Sequence, residues 1–243
     1  MARNDRFVEK ISMHMESAQI PIIKKEGLKM HGWCSFCDSE LASDILIAAA
    51  QLGEPVCYPG SSMVGVLKPQ EREVARPNST SSLYGYDAFP LHTDMAHWPI
   101  PPRYLVMRAS AVVPGLATVL IDSQDLSLNS IAREQWHRAS WMVSGVQNPY
   151  LCSVFFDHKG KRGFRWDACT MSPYGKLAAD VAPDIAAALQ DLLDSSPISM
   201  DWQFTEEILI IDNWRMVHMR PSIHEAGKSR TLERVLVKEA DVE

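Results

Sequence analysis

The last two thirds of this chain is a succession of short apolar runs, each closed within a few residues by turn-forming ones. This spacing limits the fold more than any other feature. Runs of strand character fall at 104–112, 118–121, 142–147, 151–156, 163–167, 199–204, 207–211, 215–219 and 231–238, with a further one at 20–24. Many strands at short spacing point to a double-sheet jelly roll. Helical periods fall at 39–52, with Ser39 or Ser43 as cap, at 125–141, and at 175–194, which is rich in Ala and Leu after Pro173. The expected architecture is mainly β with flanking helices, the helices at 125–141 and 175–194 lying on the outer face of one sheet. The chain has 243 residues, and β-barrels and sandwiches of that size run as one unit, so residues 1–243 are read as a single domain in which 1–55 is a helical and strand extension packed on the core.

Chemistry enters with His92-Thr93-Asp94. Eight His and thirty acidic residues yield roughly one His-x-acid triplet by chance, and a second, His14-Met15-Glu16, is present. Geometry separates the two. Residues two apart on a strand share a face, whereas on a helix they diverge by about 200°. His14 and Glu16 sit on a helical stripe of Phe7, Ile11 and Met15 and read as a surface helix. His92 and Asp94 follow Tyr86-Asp87-Ala88-Phe89-Pro90, which has strand and turn character, so this pair can converge on one metal.

A third donor is available far downstream. Glu207-Ile208-Leu209-Ile210-Ile211 is a buried-strand run, Asp212-Asn213 a turn pair, and Trp214 to Met219 a returning strand on which Met216 and His218 share a face. From the local pattern alone His218 is more often a satisfied core histidine than a ligand. Two imidazoles and one carboxylate, however, cap one face of a divalent iron and leave the other face open. Beyond lie Arg220, Arg230 and Arg234; the last two are four apart on a predicted strand, hence on one face. A guanidinium fork there suits a carboxylate, while a solvated edge-strand charge is the alternative for either arginine alone.

These residues resemble the taurine dioxygenase and clavaminate synthase family of iron(II)- and 2-oxoglutarate-dependent oxygenases. The likeness rests on His92-Thr93-Asp94, Asp212-Asn213-Trp214-Arg215-Met216-Val217-His218, and Arg230 with Arg234. It extends to Tyr84-Gly85, Phe89-Pro90-Leu91, Pro101-Pro102-Arg103-Tyr104 and Gly115-Leu116-Ala117-Thr118, and spans about residues 52–237, densest at 84–122 and 207–236. The stretch before Thr118 lacks a second glycine common in the family. The resemblance implies a double-stranded β-helix (jelly-roll or cupin-type) core, with Fe(II) on His92, Asp94 and His218. It also implies 2-oxoglutarate as cosubstrate on Arg230 and Thr118, with O2 as the oxidant. Succinate and CO2 are then released as a substrate C–H bond is hydroxylated. Desaturation, cyclisation or epimerisation by the same oxidising chemistry is the alternative, and a non-catalytic metal-binding barrel a third reading. Asp94 speaks against halogenation, for which the family replaces that carboxylate by a small residue. No general acid or base is required, so none is nominated beyond the iron ligands.

Substrate contacts are named on thinner grounds. His97 and Trp98 follow the metal pair and border a pocket or its rim; Arg165 resembles a site-lining position, with an Arg165–Asp167 ion pair as the alternative. Arg234 matches a family position that holds an anionic substrate group. Together they suggest a small anionic or amino-acid-derived metabolite. Net charge is −6, which lacks the basic footprint of nucleic-acid binding, and Lys159-Gly160-Lys161-Arg162-Gly163 reads as a hairpin loop. Five scattered cysteines do not form a secreted disulfide framework, and Cys34-Ser35-Phe36-Cys37 lacks the second pair that a zinc site needs. Neither a signal-type N-terminus nor an apolar stretch of membrane-spanning length is seen, so the sequon Asn78-Ser79-Thr80 is uninformative and the expected location is the cytoplasm, away from membranes.

Overall fold

Alternation along a single strand sets the layers. In β13 (Glu207–Asp212), Leu209 and Ile211 face one way and Ile208 and Ile210 the other, and all four are completely buried. A strand buried on both faces needs cover on both sides. In the computed structural model, which describes residues 19–58, 60–77, 79–144 and 148–240, that cover is a group of helices on one side and a second sheet on the other.

The larger antiparallel sheet runs β1 (Trp33–Cys37), β13, β5 (Tyr104–Ala111), β15 (Thr231–Glu239) and β2 (Gly53–Val56), with β3 (Gly65–Leu67) also on β15. The smaller runs β12 (Ile198–Met200), β6 (Thr118–Asp122), β14 (Met216–Arg220) and β4 (Phe89–His92). Leu105, Met107, Leu209, Ile211, Leu232 and Leu236 of the first sheet meet Leu120, Met200 and Met216 of the second in one buried cluster, so the sheets pack face to face. On the far side of the larger sheet, α1 (Ile22–His31), α2 (Ser39–Ser43) and α3 (Ile45–Ala50) cover Val106, Ile208, Ile210 and Val235. On the far side of the smaller sheet, Trp136 of α5 (Ser130–Arg138) and Ile185 and Leu189 of α6 (Gly175–Ser195) cover Ile121 and Val217. The short α4 (Thr80–Tyr84) leads into β4. The protein is thus mainly β with flanking helices, and α5 and α6 take the expected outer position.

The remaining strands form a three-stranded sheet, β11 (Met171–Tyr174), β7 (Ser140–Val143) and β8 (Tyr150–Cys152), and a hairpin of β9 (Phe155–His158) with β10 (Lys161–Phe164). The hairpin turns on Lys159 (φ 50°) and Gly160 (φ 74°), the paired positive values of a type I′ turn.

Several boundaries differ from the sequence reading. Residues 20–24 are not a strand: after Pro21 the chain enters α1, with Ile22 and Ile23 exposed, and leaves it at Gly32 (φ 75°), whose N–H donates to the Leu28 carbonyl. A four-residue apolar run does not distinguish strand from helix, and Pro21 sits where its missing N–H costs nothing. The helix expected at 39–52 breaks at Asp44, which caps α3 as Asp38 caps α2, so neither Ser39 nor Ser43 is the cap. The segment 125–141 shortens to α5 because Asn129 starts it, accepting from the Ala132 N–H. The run 151–156 is split between β8 and β9, whereas the helix expected at 175–194 is found at Gly175–Ser195, directly after β11. Cys34 is buried and Cys37 exposed on β1, so the two thiols do not converge. The triplet His14-Met15-Glu16 and Asn78 lie outside the described residues.

Candidate metal centre

The inter-sheet core turns polar at one place. The alternation that sends Met216 inward also sends His218 inward, and the one that buries Leu232 and Leu236 does the same for Arg234 between them. On the smaller sheet His218 lies directly opposite His92 in register, with ring centroids 4.4 Å apart. Asp94, two residues beyond His92, completes the group: its Oδ1 is 3.8 Å from His92 Nε2 and 3.9 Å from His218 Nε2. One donor atom from each of the three lies within 4.8 Å of the others, and no other such cluster is found among the described residues.

His92 and Asp94 are oriented from behind. His92 Nδ1 meets the Pro90 carbonyl at 2.8 Å, which fixes the ring and leaves Nε2 for a metal. Arg234 Nη1 donates to Asp94 Oδ2 at 2.6 Å, so one carboxylate oxygen is held by the guanidinium and the other turns to the imidazoles. Burial would raise the Asp94 pKa, but Arg234 and the two histidines outweigh it and hold the carboxyl below its usual range. Burial pushes His218 down to about 3, helped by His92, so it is a neutral imidazole at physiological pH, the form that ligates. Its Nδ1 has no hydrogen-bond partner among the described residues, which is not the environment of a satisfied core histidine.

Asn213 anchors the whole arrangement. It is completely buried; its Oδ1 accepts from the Asp94 N–H at 2.8 Å, and its Nδ2 donates to the Asp94 and Pro102 carbonyls, each at 2.9 Å. Thr93, facing the other way, exchanges hydrogen bonds with the Trp166 backbone. Immediately after Asp94 the chain passes through Met95 at φ 55°, a left-handed conformation costing a non-glycine residue about 1–3 kcal/mol. Surrounding contacts hold that bend. Arg165 donates to the carbonyls of Ala96, Trp98 and Pro99 and packs over the Phe156 ring at 4.5 Å.

Thr118 and Arg230 are also brought together. Arg230 is buried, its Nη1 donates to the Leu116 and Ala117 carbonyls, and Thr118 Oγ1 accepts from Trp202 Nε1 at 3.0 Å. Among the described residues no carboxylate pairs with Arg230 and its Nε is unpartnered; burial lowers its pKa to about 10. Arg220 is similarly lowered to about 10 by burial and then by Arg230; it lies over the Phe89 ring at 3.6 Å and donates to the Gly85 and Asp87 carbonyls. A buried guanidinium without a counter-ion among the described residues, hydrogen-bonded to the segment that leads into Thr118, is a place for an anion.

The four substrate candidates are placed differently. Arg165 is 2% exposed and held by three loop carbonyls rather than by Asp167, which caps Cys169 and Thr170 instead. Trp98 is half-buried against the inter-sheet cluster, and His97 stands edge-on to Tyr58 with ring centroids 6.4 Å apart. Arg234 touches the metal group itself. From the sequence Trp202 has no role and Asn213 reads only as a turn residue, although Asn213 lies in the stretch that resembles the oxygenase family.

The fold is one that non-haem iron oxygenases share. Non-heme iron oxygenase OrfP in complex with Fe and alpha-ketoglutaric acid superposes with a TM-score of 0.68 at 18% identity, covering 90% of this chain and 81% of that one. Asparagine oxygenase (AsnO) gives 0.69 at 16% identity over 88% and 77% of the two chains. Its complex with Fe(II), 2S,3S-3-hydroxyasparagine and succinate gives 0.68 at 14% identity over 89% and 79%. No protein-family model matches the chain, and no curated protein matches it in sequence.

Proposed function

We propose that this protein is an iron(II)- and 2-oxoglutarate-dependent oxygenase on a double-stranded β-helix core, acting on a small anionic or amino-acid-derived metabolite. The observation that carries the reading is the combination, on the inner faces of two packed sheets, of His92, Asp94 and His218 with a buried, uncompensated Arg230 beside Thr118. A metal clip needs the first three residues alone; a buried guanidinium with no carboxylate partner among the described residues is accounted for by a carboxylate-bearing cosubstrate nearby. The donor set fits iron: two Nε2 atoms and Asp94 Oδ1 face a common point, and Arg234 occupies the other carboxylate oxygen, which favours a single bond from Asp94.

In this reading His92, Asp94 and His218 hold Fe(II), and Arg230 and Thr118 bind the far carboxylate of 2-oxoglutarate. When bound, iron and 2-oxoglutarate with O2 supply the oxidising power, and succinate and CO2 leave. The chain's own contribution is placement. Arg165 and Asn213 fix the 94–99 segment, so whatever substrate group meets His97 and Trp98 is held at a constant distance from the metal point. Arg234 Nη1 is committed to Asp94, which leaves its other nitrogens for a substrate anion. That the neighbours include structures with 3-hydroxyasparagine and (3S)-hydroxy-L-Arg supports an amino-acid-like substrate. No helix among the described residues is long and apolar enough to cross a membrane, and five free thiols suit a reducing compartment such as the cytoplasm.

The test is anaerobic addition of 2-oxoglutarate to the Fe(II)-loaded protein. A weak visible charge-transfer band is expected, absent in His92→Ala and His218→Ala, followed by a screen of amino acids and their derivatives for stimulated succinate release. Full iron affinity in either histidine variant would show that the ligand set is wrong.

A further inference from the structure

The polar features described so far lie around the middle and one end of the smaller sheet: Thr118 opens β6 and His218 pairs with Leu120. The opposite end, where β6 closes at Asp122 and pairs with Met216, opens into a separate cleft of about 380 Å³. None of the metal or 2-oxoglutarate residues lines it. Its walls come from α1, the start of β5, the turn after β6, α5, the β9–β10 hairpin and the β13–β14 turn.

Its charge runs against that of the chain. Lys25, Lys29, Arg103, Arg133, Arg162 and Arg215 line it, with Asp212 the one acidic side chain among the lining residues, although the whole sequence carries −6. Three of the cations are neutralised: Arg103 by Asp212 and Glu239, Arg162 by Asp157, Arg215 by Asp122. Lys25, Lys29 and Arg133 make no ion pair among the described residues. Arg133 has only the Phe155 ring, at 6.0 Å. The remaining wall is part apolar and aromatic, with Leu28, Phe155 and Phe164, and part neutral polar, with the Ser123 hydroxyl and the Gln124 amide.

We propose that this cleft is a binding site for a nucleoside diphosphate. Three unneutralised cations on converging walls match a ligand of two to three negative charges, which a diphosphate carries at neutral pH. The apolar wall gives a base something to lie against, and Ser123 and Gln124 supply donors and acceptors for its edge or its sugar. The volume lies in the range of small-molecule pockets, which favours a compact ligand over a macromolecular surface. The cleft also touches Asp212, Trp214 and Arg215, which flank Asn213 in sequence, so an occupant contacts the turn that anchors Asp94. The proposal does not depend on the oxygenase reading.

The experiment is calorimetric titration of the metal-free full chain with ADP, pyrophosphate and adenosine, in the presence of saturating 2-oxoglutarate so that the Arg230 pocket is unavailable. ADP is expected to saturate one site, to weaken with added salt, and to bind more tightly than pyrophosphate or adenosine. The double variant Lys25→Glu/Lys29→Glu, and separately Arg133→Ala, are expected to weaken ADP by about tenfold or more with unchanged thermal midpoints. Four outcomes overturn the proposal: no saturation by ADP at millimolar concentration; pyrophosphate binding as tightly as ADP, which would make it a bare polyphosphate site; affinity unchanged in both variants; or displacement of ADP by 2-oxoglutarate, which would move the binding to Arg230.

Discussion

Replacing Asn213 with alanine tests the anchoring of the metal group most directly. The side chain is fully buried and makes three hydrogen bonds, all to backbone: one from the Asp94 N–H, one to the Asp94 carbonyl and one to the Pro102 carbonyl. Truncation orphans all three groups in a region closed to solvent, each at about 1–3 kcal/mol. Relaxation recovers part of that, and the expected loss is about 3 kcal/mol, a large fraction of the 5–15 kcal/mol typical of a domain. Release of the Asp94 backbone also lets the left-handed bend at Met95 relax, so the carboxylate leaves the imidazoles. Two measurements separate these effects: urea unfolding of the metal-free protein followed by tryptophan fluorescence, and Co(II) titration of the folded variant. The expectation is a lower urea midpoint together with at least about tenfold weaker Co(II) binding, whereas Asn213→Asp, which keeps the acceptor for the Asp94 N–H, should fall between. If Asn213→Ala unfolds within about 0.5 kcal/mol of wild type, the additive treatment of these bonds is wrong. If it keeps Co(II) affinity, Asn213 does not position Asp94.

Three further outcomes are expected. Arg230→Ala should raise the 2-oxoglutarate requirement by roughly one and a half to three and a half decades without altering iron affinity, as for loss of one partner of a desolvated charge pair; an unchanged requirement would shift the role to Arg220. With its pKa pushed from 6.5 to about 3 by burial, His218 is neutral in the folded chain while the unfolded chain takes up a proton, so the metal-free protein should lose stability as pH falls below about 6.5. The loss should approach ~1.4 kcal/mol per pH unit, and His218→Asn should flatten the profile; equal slopes in variant and wild type would refute the assignment. Gly163→Ala should destabilise by about 1–3 kcal/mol in thermal unfolding, because the added Cβ would stand 2.3 Å from Phe156 Cζ and that ring is pressed between Arg165 and Trp214. A midpoint unchanged by the substitution would show that Phe156 can move away freely.

What was legible in the sequence depended on periodicity. His92 and Asp94 could be paired because an extended segment puts alternate residues on one face, and the same rule placed Met216 beside His218 and Arg230 in line with Arg234. What could not be read were contacts across long separations. The pairing of Arg234 with Asp94 spans 140 positions and arises only because β15 crosses the inner face opposite the metal-bearing strand. Arg165 offered a choice between a site position and an ion pair with Asp167; that pair does not form, since three carbonyls of the 96–99 loop lie within its reach. Asn213 looked like a turn residue because turns favour asparagine for local reasons, and nothing local distinguishes an amide that caps its own turn from one that reaches another segment. Helix ends were misplaced where Asp38 and Asp44, one residue from Ser39 and Ser43, take the caps, and where Asn129 starts α5.

The ladder between β4 and β14 also works as a gauge. His218 sits opposite His92, but two positions along Arg220 faces Phe89, so β4 carries one extra residue there, around Pro90, which has no N–H to give the ladder. The separation of the two imidazoles is therefore set by hydrogen-bond register on two short strands, and not by the 126 positions of chain between them. Lengthening the chain at the Lys159-Gly160 turn or in the 201–206 loop leaves that setting untouched, so the elements around the site are open to exchange and growth. A one-residue slip of β4 against β14, by contrast, turns one imidazole to the opposite face of the sheet. Diversity of substrate and constancy of metal geometry can thus be inherited separately, through different stretches of the same polypeptide.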